Sequence, residues 1–347
     1  MIKALNRIVK LDPSDDCWEA FVKSFPHANI FHHPSWVNLL ADCYGFNPFV
    51  FALVNEENNI LAGLPLLEVQ SYLTGNRWVS LPFTDYCNPL YCDDDALRLV
   101  TEELIHVSHI QNKPYTEVRW TLPDNTRVQS ESNYVHHTLN LDQEIDTIFS
   151  SLHRTQRQNI RTAEKNQVQV VRREGLDAMR VFYQLHCYTR RRHGVPVQPW
   201  RFFELLHDRL LTRNLGFISL AYAGKQCLAA GLFLSWNKSL IYKYAASSDV
   251  GQDLRPNHLL TWTAINWGCE NGYKVLDFGR TDLNNRGLRT FKNRWGAAEI
   301  SRPYSIISTK NDKPLVRRIP SVINTIIRNS PMWVCRLCGE FLYKHFG

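Results

Sequence analysis

Two stretches, residues 49–69 (FVFALVNEENNILAGLPLLEV) and residues 216–236 (GFISLAYAGKQCLAAGLFLSW), decide how this chain folds. Each reads as an apolar strand, a short polar turn and a second apolar strand. The turns, Asn55 to Asn59 and Gly224 to Gln226, have hairpin chemistry. Ala62-Gly63-Leu64-Pro65-Leu66 in the first stretch sits opposite Ala230-Gly231-Leu232-Phe233-Leu234 in the second. The segments downstream of the two copies are also alike. After the first come a helical stretch over 94–110 and a short strand over 115–121. After the second come a strand over 239–246, a helix opening at Pro256 and closing near Gly272, and a strand over 273–278. Proline just inside a helix start and glycine just past its end are the expected termini. Two successive units of hairpin, helix and strand predict a duplicated α/β domain.

A length of 347 residues fits about two domains. With 44% hydrophobic and 21% charged residues, disordered, collagen-like and mucin-like readings are excluded. Lys+Arg 40 against Asp+Glu 33 leaves a net charge of +7, which suits an anionic partner such as phosphate, RNA or a membrane surface. The first sixteen residues lack a sustained apolar run, so no signal peptide is expected. No segment approaches the ~18 apolar residues that span a bilayer. Nine cysteines, mostly inside apolar segments, predict reduced thiols in a cytoplasmic protein. The pair Cys335 and Cys338 lacks two further ligands for zinc. It reads as two residues on adjacent helical turns, and no metal is expected.

Between the repeats, residues 151–171 carry Arg154, Arg157, Arg161 and Lys165 at intervals of three to four, one face of a helix. The tail is apolar and basic, with Arg317, Arg318, Arg328, Arg336 and Lys344 among Ile, Val, Trp and Phe, and is interrupted by Pro320 and Pro331. That is the composition of an interfacial helix, or of a helix that packs back on the first domain.

Several segments, in this order, resemble the Fem branch of the GNAT acyltransferase superfamily. They are FHHPSWVNLL (31–40), the AGLPL strand, SLHRTQRQNIRTAEKNQVQV (151–170), TRRRHGVPVQPWRFFELL (189–206), LAAGLFLSW with YKYAASSD (242–249), and the late VLDFGRTD (275–282) and FKNRWGA (291–297). The resemblance implies an α/β fold with mixed sheets, as two tandem GNAT-like domains over residues 1–144 and 145–305, and a helical tail over 306–347. It implies transfer of an acyl group to an amine, the donor being acetyl-CoA, another acyl-CoA or an aminoacyl-tRNA. The late segments match the family's strand ending in D-F-G and its closing F-K-x-x-x-G strand. The glycine-rich loop that cradles the CoA pyrophosphate in GNAT proteins corresponds to SSDVGQDLRPNHLL (247–260), which has one glycine and a proline without an N–H. That departure puts the CoA site in doubt. The long helical hairpin of some tRNA-using relatives has no counterpart, which weakens the case for a tRNA donor.

The candidate residues are chosen by what acyl transfer needs: a deprotonated amine, a polarised carbonyl and close approach. Asp277, at the end of an apolar strand, is a candidate to take the proton or orient the amine, or else it caps the next turn or pairs with Arg280. Lys292, in the F-K motif with Phe291, is a candidate to neutralise a phosphate or an oxyanion, or else it is a solvated strand-edge lysine. Arg286 and Arg289 flank it. Arg154, Arg157 and Arg161 suit a pyrophosphate or an RNA backbone, although basic stripes are commonly solvated faces. His193, in a loop after Arg190, Arg191 and Arg192, is a candidate base near neutral pH. His32 and His33 read as structural. Tyr242 and Tyr244 alternate on a strand, facing either a substrate cleft or the core.

Together these readings predict an enzyme, a cytoplasmic N-acyltransferase at the inner face of the membrane. Its acceptor is an amino group of a peptidoglycan or exopolysaccharide precursor, a phosphate-bearing or lipid-linked sugar. DNA is not an expected partner; charged tRNA is, if it is the donor. With no G-x-S-x-G elbow, direct amine attack is expected. The alternative is a catalytically silent scaffold that binds a lipid-linked or nucleotide sugar. Three basic segments, 154–165, 190–193 and 280–294, are expected to converge on one phosphate site.

Overall fold

The computed structural model describes residues 6–72, 75–308 and 321–346. The chain forms two compact units, Met1–Asn133 with Arg302–Arg317 and Lys344–Gly347, and Tyr134–Ser301 with Arg318–Tyr343.

The first unit runs β1 (Arg7–Leu11), α1 (Asp16–Ser24), α2 (Pro34–Tyr44), β2 (Asn47–Val54), β3 (Ile60–Ser71), β4 (Gly75–Val79), β5 (Leu90–Tyr91), α3 (Asp94–Ile110), β6 (Tyr115–Val118) and β7 (Val128–Glu131). Strands β2 and β3 form the first predicted hairpin, with Ala52 opposite Gly63. Strands β4 and β6 then run parallel, Trp78 opposite Thr116.

The second unit repeats this plan. It runs β8 (Tyr134–Asn140), α4 (Ile145–Ser151), α5 (Arg154–Lys165), β9 (Gln169–Arg173), α6 (Leu176–His193), α7 (Trp200–Arg209), β10 (Gly216–Ala223), β11 (Gln226–Trp236), β12 (Ser239–Ser247), α8 (Pro256–Glu270), β13 (Val275–Asp282), α9 (Arg286–Asn293) and β14 (Ala298–Ser301). Strands β10 and β11 form the second hairpin, and β12 and β13 are its parallel pair. The sheet order is β14-β8-β13-β12-β11-β10-β9. One sheet face is covered by α5 and α8, where Ile160, Ala163, Leu260 and Ile265 pack with Phe217, Phe233 and Trp295. The other is covered by α6 and α7, where Phe203 packs against Phe182, His186 and Tyr244.

The chain then returns to the first unit as β15 (Tyr304–Ser308), which sits between β6 and β7. Helices α10 (Ser321–Asn329) and α11 (Met332–Leu342) come last.

The units divide at Asn133 and Tyr134 rather than at 144 and 145. The cause is backbone pairing, because β8 precedes the expected boundary but bonds to β13 and β14. Likewise β15 runs past the expected end at 305 because it pairs with β6 and β7. Helices α10 and α11 of the tail pack on α6 of the second unit rather than on the first. Glycine makes this close approach feasible, since a Cβ on Gly339 would stand 1.9 Å from the Val197 carbonyl oxygen. Arg317, Arg318 and Pro320 lie outside the described residues. Cys335 and Cys338 are free thiols on α11.

Two buried histidines link this fold to pH. His32 Nε2 donates to Asn88 O at 2.8 Å while Nδ1 accepts from Asn29 N–H at 3.1 Å, so it is held neutral with no room for a second proton. His33 Nδ1 accepts from Ser35 N–H, and both residues are structural. His186 pairs through Nε2 with Gln198 Oε1 at 2.9 Å, between aromatic rings. Burial pushes His32 down to about 4 and His186 down to about 3. Well above pH 6.5 both are neutral, folded or unfolded. As pH falls from 6.5 toward 4, the unfolded chain takes up protons that the folded chain refuses, and stability is lost. Each histidine is expected to cost roughly 3 kcal/mol by pH 4. Urea midpoints measured between pH 7.5 and 4.5 check this, and His186→Gln flattens the slope for the second unit.

Candidate functional site

Helices α5, α8 and α9 enclose a cavity of about 430 Å³, lined by Gln156, Asn159, His258, Arg286, Gly287, Thr290, Phe291 and Arg294. Its chemistry comes from polar groups at positions where apolar ones are expected. Gln156 shares the inward stripe of α5 with Ile160 and Ala163 and is 1% exposed. Its Nε2 has no hydrogen-bond partner among the described residues. Asn159 Nδ2 donates to His258 Nε2 at 3.1 Å, which places the ring proton on Nδ1. That Nδ1 is also unpartnered among the described residues. Burial, then the nearby Arg255, pushes His258 down to about 4, so it is neutral near pH 7. The exposed Arg286 and Arg294 complete the lining. Two neutral N–H donors without partners among the described residues and two guanidinium groups give the cavity the donor chemistry that suits an anion.

Beside it the sheet opens. The parallel ladder of β12 and β13 stops at Ile241 and Asp277, although both strands continue. On β12 a register shift at Lys243 sends Tyr242 to the α8 face, stacked on Phe233 at 4.4 Å, and Tyr244 to the α6 face against His186. On β13 a second shift lies between Asp277 and Arg280. Gly279 adopts φ +71 there, a conformation glycine takes without strain. Its N–H donates to Asp277 Oδ1 at 2.6 Å, and its carbonyl accepts from Lys292 Nζ at 2.8 Å. In the first unit Arg119, just past β6, donates to Glu117 Oε1 at 2.8 Å and Thr84 O at 2.6 Å.

Residues 150–293 match the family model described as an acetyltransferase (GNAT) domain. The solved structure of FemX superposes with a TM-score of 0.67 at 16% identity, over 86% of this chain and 96% of that one. L-PGS from Bacillus licheniformis superposes with a TM-score of 0.56 at 14% identity, over 92% and 97%. The lipid II:glycine glycyltransferase of Staphylococcus haemolyticus is 35% identical over 75 residues, and that of Staphylococcus aureus 30% identical over 92. The second unit thus carries a GNAT domain, and the chain shares the fold of FemX. The aligned stretches are short, 20% and 25% of this chain and 18% and 22% of those relatives.

The geometry redistributes the expected roles. Phe291 lines the cavity, edge-on to His258 at 5.9 Å. Lys292 is only 5% exposed and lies on helix α9, not on a closing strand. It clamps the β13 bulge through Gly279 O and Arg280 O. Asp277 is buried and holds the same bulge. Arg289 is taken up by Glu299, donating from Nε at 2.9 Å and Nη2 at 2.6 Å. Glu299 also meets the buried His137 at 3.1 Å. Arg280 lies over the Tyr134 ring at 4.5 Å.

The α5 stripe turns away from the cavity. Arg157 donates to Ser150 O and Leu152 O, Arg161 lies over Phe149 at 5.8 Å, and Arg154 and Lys165 are exposed. His193 ends α6 rather than sitting in a loop. It lies outside the cavity lining, as does Tyr244. Of the three basic segments, 280–294 supplies the cationic groups of the cavity lining; the basic residues of α5 turn away from it and the α6 segment does not line it. Among the described residues no cluster of three metal-ligating side chains occurs.

His258 and Gln156 were not among the sequence candidates. Gln156 left a legible signal, a polar residue on the apolar stripe shared with Ile160 and Ala163. His258 left only its place in the first turn after Pro256.

Proposed function

We propose that the second unit transfers an acyl or aminoacyl group from a phosphate-bearing donor to an amino group of a cell-envelope precursor. The observation that carries this reading is the cavity lined by Arg286, Arg294, and Gln156 Nε2 and His258 Nδ1, both unpartnered among the described residues. All four are donors, and CoA and tRNA both present phosphate oxygens to them. The opening between β12 and β13, whose β13 bulge Lys292 clamps from α9, suits an extended acyl arm. There the amine nitrogen bonds to the donor carbonyl carbon as the thioester C–S or ester C–O bond breaks. No covalent enzyme intermediate is involved. That the relatives are lipid II:glycine glycyltransferases supports a lipid-linked precursor as acceptor, and the site of action is then the cytoplasmic membrane face.

The test is incubation of the purified protein with labelled acetyl-CoA, or with charged tRNA, and a panel of amine-bearing envelope precursors. An amide product with one donor is expected. A second reading, a silent unit that binds a lipid-linked or nucleotide sugar, is favoured by one observation: Asp277 and Lys292 are both engaged within the protein. Sugar binding without product from either donor would establish that reading instead.

A further inference from the structure

Among the described residues, helix α11 packs through one side. Cys335 and Gly339 face α6 and residues 195–197, both fully packed. At 100° per residue the opposite face is made by Trp333, Leu337 and Phe341, which are 63%, 47% and 70% exposed. On α10, Ile327 is buried while Ile326 faces out. Scattered exposed apolar residues are ordinary, but an aligned stripe of three with a tryptophan marks an interaction surface.

Its surroundings are cationic. The α6 run of arginines, which the cavity does not use, ends beside α10. Arg328 Nη2 reaches the His193 carbonyl at 3.5 Å. Arg190, Arg192 and Arg328 all lie close enough to His193 to depress its proton affinity beyond the effect of burial. Arg336 lies over the Tyr183 ring at 5.5 Å, on the edge of the stripe. Acidic groups here are few: Asp249 pairs with Arg192, and Glu340 is on α11. In the sequence, residues 310–347 hold seven basic and two acidic residues, a net +5 of the chain's +7.

We infer that the outer face of α10 and α11, with the arginines at the end of α6, docks on an anionic lipid bilayer. Aromatic and aliphatic side chains ringed by arginine are the composition of a helix lying in the headgroup region. No described helix is long and apolar enough to cross a membrane. A second copy of this chain would present the same positive charge and is disfavoured by repulsion. The inference goes beyond the transfer reaction and needs no donor or acceptor, so the two readings fail independently.

The test is co-sedimentation of the full chain with vesicles of phosphatidylcholine alone and of phosphatidylcholine mixed with phosphatidylglycerol. Partitioning at least tenfold stronger onto the mixed vesicles is expected, falling as salt rises. Substituting Trp333→Ser, Leu337→Ser and Phe341→Ser together is expected to lower it at least tenfold, with the unfolding transition unchanged. Leu337→Glu keeps a helix-forming residue and is expected to weaken binding as well, which guards against misfolding of the triple variant. Equal sedimentation of wild type and both variants overturns the inference. So does a wild-type dimer in light scattering that the triple variant converts to monomer.

Discussion

Substituting Arg286→Ala and Arg294→Ala together is expected to weaken donor binding about a hundredfold. Both guanidinium groups line the cavity at its exposed side. Neither has an ion-pair partner among the described residues, whereas Arg289, three residues from Arg286, is committed to Glu299. A charge-assisted hydrogen bond to phosphate is worth about 1.5–3 kcal/mol, so two at the lower end give about 3 kcal/mol, or two decades in Kd. Isothermal titration with the donor that proves active measures it. Arg289→Ala serves as the internal comparison, because its loss breaks an ion pair without removing a cavity donor. Its effect is expected to appear in stability rather than in Kd. Equal losses of affinity for both variants would place the phosphate outside the cavity. The salt dependence of binding should flatten in the double variant as well, since two phosphate contacts disappear.

The second large effect is expected from Lys292→Met. The Lys292 ammonium is buried and donates to two carbonyls of the β13 bulge, Gly279 O at 2.8 Å and Arg280 O at 3.3 Å. Methionine fills the space but leaves the two carbonyls without this donor. An acceptor buried and unpaired costs about 1–3 kcal/mol, so roughly 3 kcal/mol of stability should be lost from the second unit, along with most transfer activity. Asp277→Asn is the milder companion. Asparagine Oδ1 can still accept from the Gly279 N–H now bound at 2.6 Å, and a loss nearer ~1 kcal/mol is expected. Chemical denaturation of each variant, read beside its rate, separates the roles. Lost stability with lost rate means that Lys292 acts by holding the bulge. Full stability with lost rate means that its charge acts on the substrate.

The duplication was legible because each hairpin repeats an apolar strand, a polar turn and an Ala-Gly-Leu strand. Strand periodicity is local and survives in the sequence without tertiary context. The basic helix over 154–165 was legible for the same reason, and its structure has those limits. The unit boundary was not. Strand β8 carries no mark that its partners, β13 and β14, lie more than a hundred residues away. Long-range pairing is a property of the folded sheet, not of the strand's own residues.

Site residues divide along the same line. The sequence marked Asp277, Lys292, Phe291 and the arginines by type and by motif. Of these, Phe291 and Arg286 line the cavity, and the others hold bulges, carbonyls and rings or lie off it. A charged side chain looks the same in sequence whether its partner is a ligand or its own backbone, so the choice between phosphate contact and internal clamp was open until the packing was seen. Register shifts show this most simply. Tyr242 and Tyr244 have the spacing of one strand face, yet one extra residue at Lys243 sends them to opposite faces. By itself, then, the sequence determined the repeated α/β plan, the Fem-type resemblance and an excess of positive charge, since those rest on periodicity, motif order and composition. Only the tertiary structure decided which donors are left unpaired among the described residues, because pairing is settled between elements far apart in the chain.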